Sequence, residues 1–323
     1  VVHDNGYTTI NRHLSAFVGE IARLVEEKQY QEESWEVEIF PEKNQYRVRA
    51  GEVIALSGNT GYSFGPHLHL DMFETVTDDY IDPLPFYKDK IVDNIAPRAT
   101  RIMIYGDEYR GKVALNKPIK GAAELDGKII VNCQLSIVNC MEAWGRISAA
   151  ISANDYMNGT HNNYGVRYVR LYVDDRLVSS SDVDRFSFDE NRLINSWTDY
   201  AEQRRSGRWY MRSAIAENND LRMLRADADR GWGTINEERD YHFRYELEDL
   251  YGNRSNYRFV VRGKRMDIPQ HLPDYYYLMD ASRPNRFYTQ GFELWIPKGE
   301  LFDDVELAYD VIPSAADQAP HYQ

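Results

Sequence analysis

A mainly β chain with more than one domain is predicted, on three observations. From residue 95 onward the chain is a succession of apolar runs, TRIMIY, KIIVNCQLSIVNC, RISAAISA, VRYVRLYVDD, YHFRYELEDL and NYRFVVRG, punctuated by Gly, Asn, Asp and Ser. Aromatic residues make up 13% of the chain and include 24 Tyr, a composition that suits pleated, half-buried surfaces and also lines peptide or polysaccharide grooves. With 323 residues, 43% of them hydrophobic, there is enough material for two or three cores.

The elements follow in chain order. A short strand is expected at residues 7–11, and residues 16–33 place Phe17, Ile21, Leu24 and Val25 at helical spacing. Alternation in WEVEIF predicts a strand at 35–40; a turn at 41–44 leads to a further strand at 46–48, and another is expected at 51–56. The helix therefore looks inserted into a β framework. The strand-rich run from 95 predicts a β-sandwich, with short helices around 196–204 inside a less regular stretch. After Gly263 a Pro-, Tyr- and Asp-rich linker precedes strand material from Phe287.

The 51 acidic against 38 basic residues give a net charge of −13, which argues against nucleic acid or an anionic membrane surface as the main partner. No stretch approaches the ~18 apolar residues of a membrane span. The chain opens on VVHDNGYTTI without a leader or initiator Met, so a fragment of a longer precursor is expected. The two cysteines, Cys133 and Cys140, are too few for a disulfide scaffold. On one strand they would face opposite sides; free thiols are the simpler reading, and a bridge would need an intervening turn.

Chemistry concentrates in SGNTGYSFGPHLHLD, residues 57–71. Its glycines permit a tight loop, and Pro66 sets the entry to a strand that would point His67 and His69 to one face. A His-x-His pair on a strand suits a zinc ligand beside an imidazole that handles a proton. Alone, that tripeptide is more often a surface or core pair, and a lone His13 more often structural.

The surrounding motif resembles the hallmark of the lysostaphin-type (LytM-like) zinc peptidases, a Gly-rich turn before Gly-Pro-His-Leu-His. NGYTTINRHLS, AGEVIALSG and IDPLPFY resemble further family segments in the right order, so the likeness spans roughly residues 1–88. It implies that His69 is the last zinc ligand, His67 the histidine acting on the attacking water, and His13 a second catalytic histidine. It implies one zinc ion per peptidase domain and peptidoglycan peptide as substrate. The family's other two zinc ligands, in a His-x-x-x-Asp motif, precede the strand that begins this chain and match nothing within it; His3 matches the turn before that strand. Arg12 and Asp71 depart from the family's commoner residues.

The expected organisation is therefore the carboxyl part of a LytM-like antiparallel β domain with a helical insertion at 1–92, an Ig-like or fibronectin-like β-sandwich at 93–265, and a linker with a partial β extension at 266–323. The acidic insertion at 29–49 either walls the substrate groove or is decorative. The longer LytM-like proteins of Bacteroidetes-type bacteria have this layout, which implies a periplasmic or surface setting. Asp174, Asp249 and Asn253 offer oxygens for calcium, but turn formation explains them more simply. The leading expectation is a zinc-dependent endopeptidase of the cell wall. The alternatives are a non-catalytic LytM-like factor that binds the wall or activates an amidase or another envelope protein, and a surface adhesion protein with a relic peptidase fold.

Overall fold

In the computed structural model the protein is mainly β, with three α-helices among the described residues. The structure describes residues 1–106, 142–268 and 275–311, together with the backbone of strand residues at 114–116, 122–125, 128–132, 138–141, 312 and 321–322. The chain divides into two units, Val1–Pro83 and Leu84–Gln323. The division falls before residue 92, and the stretch after 265 lies within the larger unit.

In the small unit, β1 (Tyr7–Arg12) pairs antiparallel with β4 (His69–Glu74), which in turn pairs with β5 (Tyr80–Ile81). A separate ribbon joins β2 (Leu14–Phe17) to β3 (Ala55–Ser57). The expected helix forms as α1 (Gly19–Glu32), starting later than residue 16 because the chain first completes β2. Its apolar stripe of Ile21, Leu24 and Val25 is half-buried, and no residue of the helix is fully buried. Residues 35–40 and 46–48, expected as strands, have no ladder. Alternation specifies a strand only where a neighbour covers one face, and here Trp35 and Phe40 are 91% and 87% exposed. The strand expected at 51–56 shortens to β3. Met72 is the one fully buried hydrophobic side chain of this unit, so hydrogen bonds rather than a packed interior hold its turns.

The larger unit is built around one long strand. Its elements run β6 (Arg98–Gly106), β7 (Ala114–Asn116), β8 (Ala122–Leu125), β9 (Lys128–Asn132), β10 (Val138–Asn154), β11 (Tyr168–Val173) and β12 (Arg176–Asp182). There follow β13 (Arg185–Phe186), α2 (Ile194–Trp197), α3 (Tyr200–Ser206), β14 (Met211–Arg212), β15 (Leu224–Ala226), β16 (Gly233–Ile235), β17 (Asp240–Glu248) and β18 (Arg254–Gly263). Up to Ala143, β10 runs parallel to β18 and extends a layer ordered β15-β12-β11-β17-β18. From Ile147 it runs antiparallel to β6 and belongs to a second layer with β9 and β8, while β14 and β16 flank its other edge. The transfer takes place at Gly145, whose φ of 98° lies in the left-handed region. A side chain there would meet its own backbone, so glycine lets a strand turn the corner between layers.

Between the layers lies one core. Ile102 and Ile104 of β6 and Ile147, Ala149 and Ile151 of β10 meet Val169 and Leu171, then Tyr241, Phe243, Tyr245 and Leu247, and Phe259 and Val261 from the facing layer. The rings of Phe243 and Phe259 stack at 4.9 Å. On β17 the alternate residues Arg244, Glu246 and Glu248 face outward and pair with Arg170 and one another, so that layer is buried on one face only. The second layer is buried on both: Met103, Tyr105 and Ala150 pack under Tyr210, and the Tyr105 hydroxyl donates to Asp199 at 2.9 Å. This is why RIMIY and ISAAISA are nearly continuous apolar runs. The less regular stretch expected around 185–226 supplies that cover, with Trp197, Leu221, Met223 and Leu224 forming a cluster of their own.

A capping box opens the segment before α2: Ser187 accepts from the Glu190 backbone and Glu190 accepts from the Ser187 backbone. Beyond residue 275, short ribbons pair Tyr277–Met279 with Val305–Leu307 and Asn285–Thr289 with Phe292–Ile296. Phe287, Phe292 and Tyr309 pack there, and the Asn218 side chain donates to the carbonyls of Ala281 and Leu301. Cys133 and the Cys140 side chain lie outside the described residues, and with them the question of a bridge.

Gly145→Ala should lower stability by about 1–2 kcal/mol, the cost of a left-handed β-carbon, read as a lower urea midpoint with an unchanged slope. A second expectation concerns pH. Burial works against the Glu190 carboxylate, but hydrogen bonds from the Arg222 guanidinium and from the backbones of Ser187 and Arg222 outweigh it and lower its pKa from 4.5 to about 2. Since the folded value lies below the unfolded one, the carboxylate's contribution is fully present above 4.5 and lost as pH falls toward 2. The stability gap between wild type and Glu190→Gln should therefore be largest near neutrality and close in acid; a gap independent of pH would contradict this account.

Candidate functional site

The β1–β4 ladder sets Arg12 opposite His69 and Ile10 opposite Asp71. Arg12, His69 and Asp71 thus share a face, since directly opposed residues and residues two apart on a strand point the same way. The Arg12 Nε donates to Asp71 Oδ2 at 2.5 Å, and Asp71 Oδ1 lies 3.0 Å from His69 Nε2. Hydrogen bonding to Asp71 raises the pKa of Arg12.

His13 stands at the join of β1 and β2 with φ of 61°. A left-handed non-glycine residue costs about 1–2 kcal/mol, and here it breaks the strand so that the ring swings toward the 58–65 loop. That loop is clamped to β2. Thr60 donates through its hydroxyl to the Leu14 carbonyl, and Ser15 donates to the Ser57 carbonyl. A β-carbon on Gly58 would lie 2.6 Å from Ser15 Cβ and 2.7 Å from its backbone nitrogen, so only glycine fits there. His67 follows in a single bridge, its N–H donating to the Gly58 carbonyl.

Each ring has one nitrogen committed. His13 Nδ1 is 2.8 Å from the Thr60 carbonyl oxygen, and His67 Nδ1 is 2.7 Å from the Gly65 carbonyl oxygen. Carbonyl and carboxylate oxygens only accept, so these nitrogens, and His69 Nε2 facing Asp71, carry the protons. Each neutral ring then keeps one lone pair: Nε2 of His13, Nε2 of His67 and Nδ1 of His69. The three side chains each offer a nitrogen within 4.8 Å of the others. The His13 ring is 4.7 Å from that of His67 and 5.6 Å from that of His69, centroid to centroid. His13 is half-buried and the other two are exposed, so the group is open to solvent.

Such a group can hold a divalent metal through imidazole nitrogens, or place and move protons on a molecule lying among the three rings. His3 is not part of it; its Nε2 lies 2.9 Å from the Thr9 hydroxyl. Of the groups that orient the rings, only some are marked in the sequence. Asp71 was legible, being two residues beyond His69 on the same strand face, but the Thr60 and Gly65 carbonyls belong to the main chain and leave no mark in side-chain pattern. Beside the group, the rings of Tyr62 and Phe64 meet edge-to-face at 5.4 Å and are fully displayed to solvent.

Among curated proteins, the chain is similar to the glycyl-glycine endopeptidase ALE-1 of Staphylococcus capitis, 47% identical over 47 residues. The matching stretch takes in 13% of this chain and 12% of that protein's length. No family model matches the chain, and no solved structure matches it significantly.

Asp71→Asn replaces an acceptor-only carboxylate by a group that also donates. His69 should then shift from the Nε2–H form to a mixture of tautomers, visible in its imidazole nitrogen chemical shifts, with His13 and His67 unchanged. An unaltered His69 spectrum would show that Asp71 does not set the tautomer.

Proposed function

We propose that the protein hydrolyses peptide bonds of bacterial peptidoglycan as a zinc-dependent endopeptidase. The observation that carries the reading is the convergence of His13, His67 and His69, each oriented through one nitrogen and open at the other. The short stretch of identity to a glycyl-glycine endopeptidase supports the same class of substrate.

The donor chemistry fits zinc, for which neutral imidazole is a preferred ligand. His69 would hold the metal through Nδ1, with Asp71 and Arg12 fixing the ring as outer-shell partners do at such sites. When bound, zinc supplies a Lewis acid and an acidified water. His67 Nε2 is placed to accept the proton of a water attacking the peptide carbonyl. His13 Nε2, when protonated, would donate to the oxygen on which negative charge develops, and its ring is kept in place by the Thr60 carbonyl. Tyr62 and Phe64 offer apolar faces on which a peptide can lie. Catalytic zinc generally takes three protein ligands, so the reading requires two more beside His69. It places the protein outside the cytoplasm, in the periplasm or at the cell surface, where its substrate is.

The test is digestion of purified peptidoglycan by the intact protein, read beside its zinc content. His67→Ala should keep zinc and lose about 10²–10⁴-fold in rate, the range for a general base. His69→Ala should lose both metal and cleavage. Full activity in either variant would remove the assignment, and wall binding without zinc or cleavage would identify a non-catalytic cell-wall factor instead.

A further inference from the structure

A second cluster of acceptor groups lies in the larger unit, at the end of the two layers. Asp93 sits in the segment that leads into β6, Asp155 just past the end of β10, and Asp249 in the turn between β17 and β18. Each offers a carboxylate oxygen within 4.8 Å of the others. All three are buried, at 8%, 4% and 1% exposure.

Their hydrogen bonds account for part of the oxygens and leave the rest bare. Asp93 Oδ1 accepts from the Ile95 backbone, and the Asp249 oxygens accept from the backbone and side chain of Asn253. Asp93 Oδ2 and Asp155 Oδ1 are buried with no hydrogen-bond partner. Among the described residues, no Lys or Arg pairs with any of the three. Three carboxylates gathered in a buried pocket repel one another, and main-chain donors at Asn94, Ile95 and Tyr156, with Asn253, offset this only in part. Burial accordingly pushes the Asp155 carboxyl up to about 7 and raises that of Asp93 as well.

In the sequence Asp249, Asn253 and Asp174 read as turn formers. For Asp174 that account suffices, since it accepts from the His242 backbone and from Arg239. It does not suffice for Asp249, because a turn needs neither Asp93 nor Asp155 brought to it from distant parts of the chain.

We propose that Asp93, Asp155 and Asp249 hold a calcium ion. Buried carboxylate oxygens from three segments, with Asp93 Oδ2 and Asp155 Oδ1 lacking a hydrogen-bond partner, are the ligands a hard cation takes. Three carboxylates at irregular spacing suit calcium, whose oxygen ligands tolerate flexible geometry and can include water, whereas magnesium demands a near-ideal octahedron and is usually bound through one or two carboxylates. The ion would staple the entry segment of the larger unit to the ends of β10 and β17, where Asn253 already donates to the Asp93 carbonyl and Ser255 to that of Pro97.

The intact chain, freed of metal with a chelator and titrated with calcium chloride at pH 7.5, should bind about one calcium by calorimetry. Its thermal midpoint should rise by roughly 5–10 °C at about 100 times the dissociation constant. Asp155→Asn and Asp93→Asn should each abolish the calcium response, and in chelator they should melt no lower than wild type, because each removes a buried charge without changing shape. Asp174→Asn and His69→Ala should leave the response intact, which separates this site from the histidine group. Absence of calcium binding in the wild type, or a full calcium response in Asp155→Asn, would overturn the proposal; a response to magnesium and not to calcium would overturn the choice of ion.

Discussion

The pairing of β1 with β4 is the constraint on which the histidine group depends. A slip of one residue would turn His69 and Asp71 to the opposite face and carry Arg12 away from both. With the register in place, the Arg12–Asp71 pair locks one ring from below, and the left-handed turn at His13 brings a second ring across. The third arrives through the 58–65 loop, which can lie against β2 only because residue 58 lacks a side chain. The small unit manages this with scarcely any packed interior, so its precision comes from hydrogen bonds between neighbouring strands and turns.

How much of this was legible in the sequence varies with the physics involved. The mainly β character and the α1 helix could be read from periodicity, and His67 with His69 from a dense motif, whereas His13 joined them only through the family resemblance. Segments 35–40 and 46–48 could not, since alternation marks a strand only when a neighbour exists to pair with it. Arg12 and Asp71 stood out merely as departures from the family pattern; as opposed and diagonal neighbours on one ladder they form a single device. The larger unit shows two strand layers around one core.

The acidic cluster was half visible. Asp249 and Asn253 lie in a turn motif that any reader would mark, but Asp93 and Asp155 are more than sixty positions apart and have ordinary local contexts. Only the arrangement of strand ends brings them together. A charge cluster assembled from remote segments is invisible to spacing rules, whereas His67 and His69, two residues apart, announce themselves.

The passage of β10 from one layer to the other has a further consequence, for cooperativity. In a sandwich whose layers share no strand, one sheet can in principle loosen while the other persists. Here the first half of β10 is hydrogen-bonded into one layer and the second half into the other, with Gly145 between them. Fraying of either layer pulls directly on the backbone of its neighbour. The two layers are thereby joined into one foldon, opening together with a shared free energy, and amide exchange along β10 should report a single protection plateau on both sides of the corner.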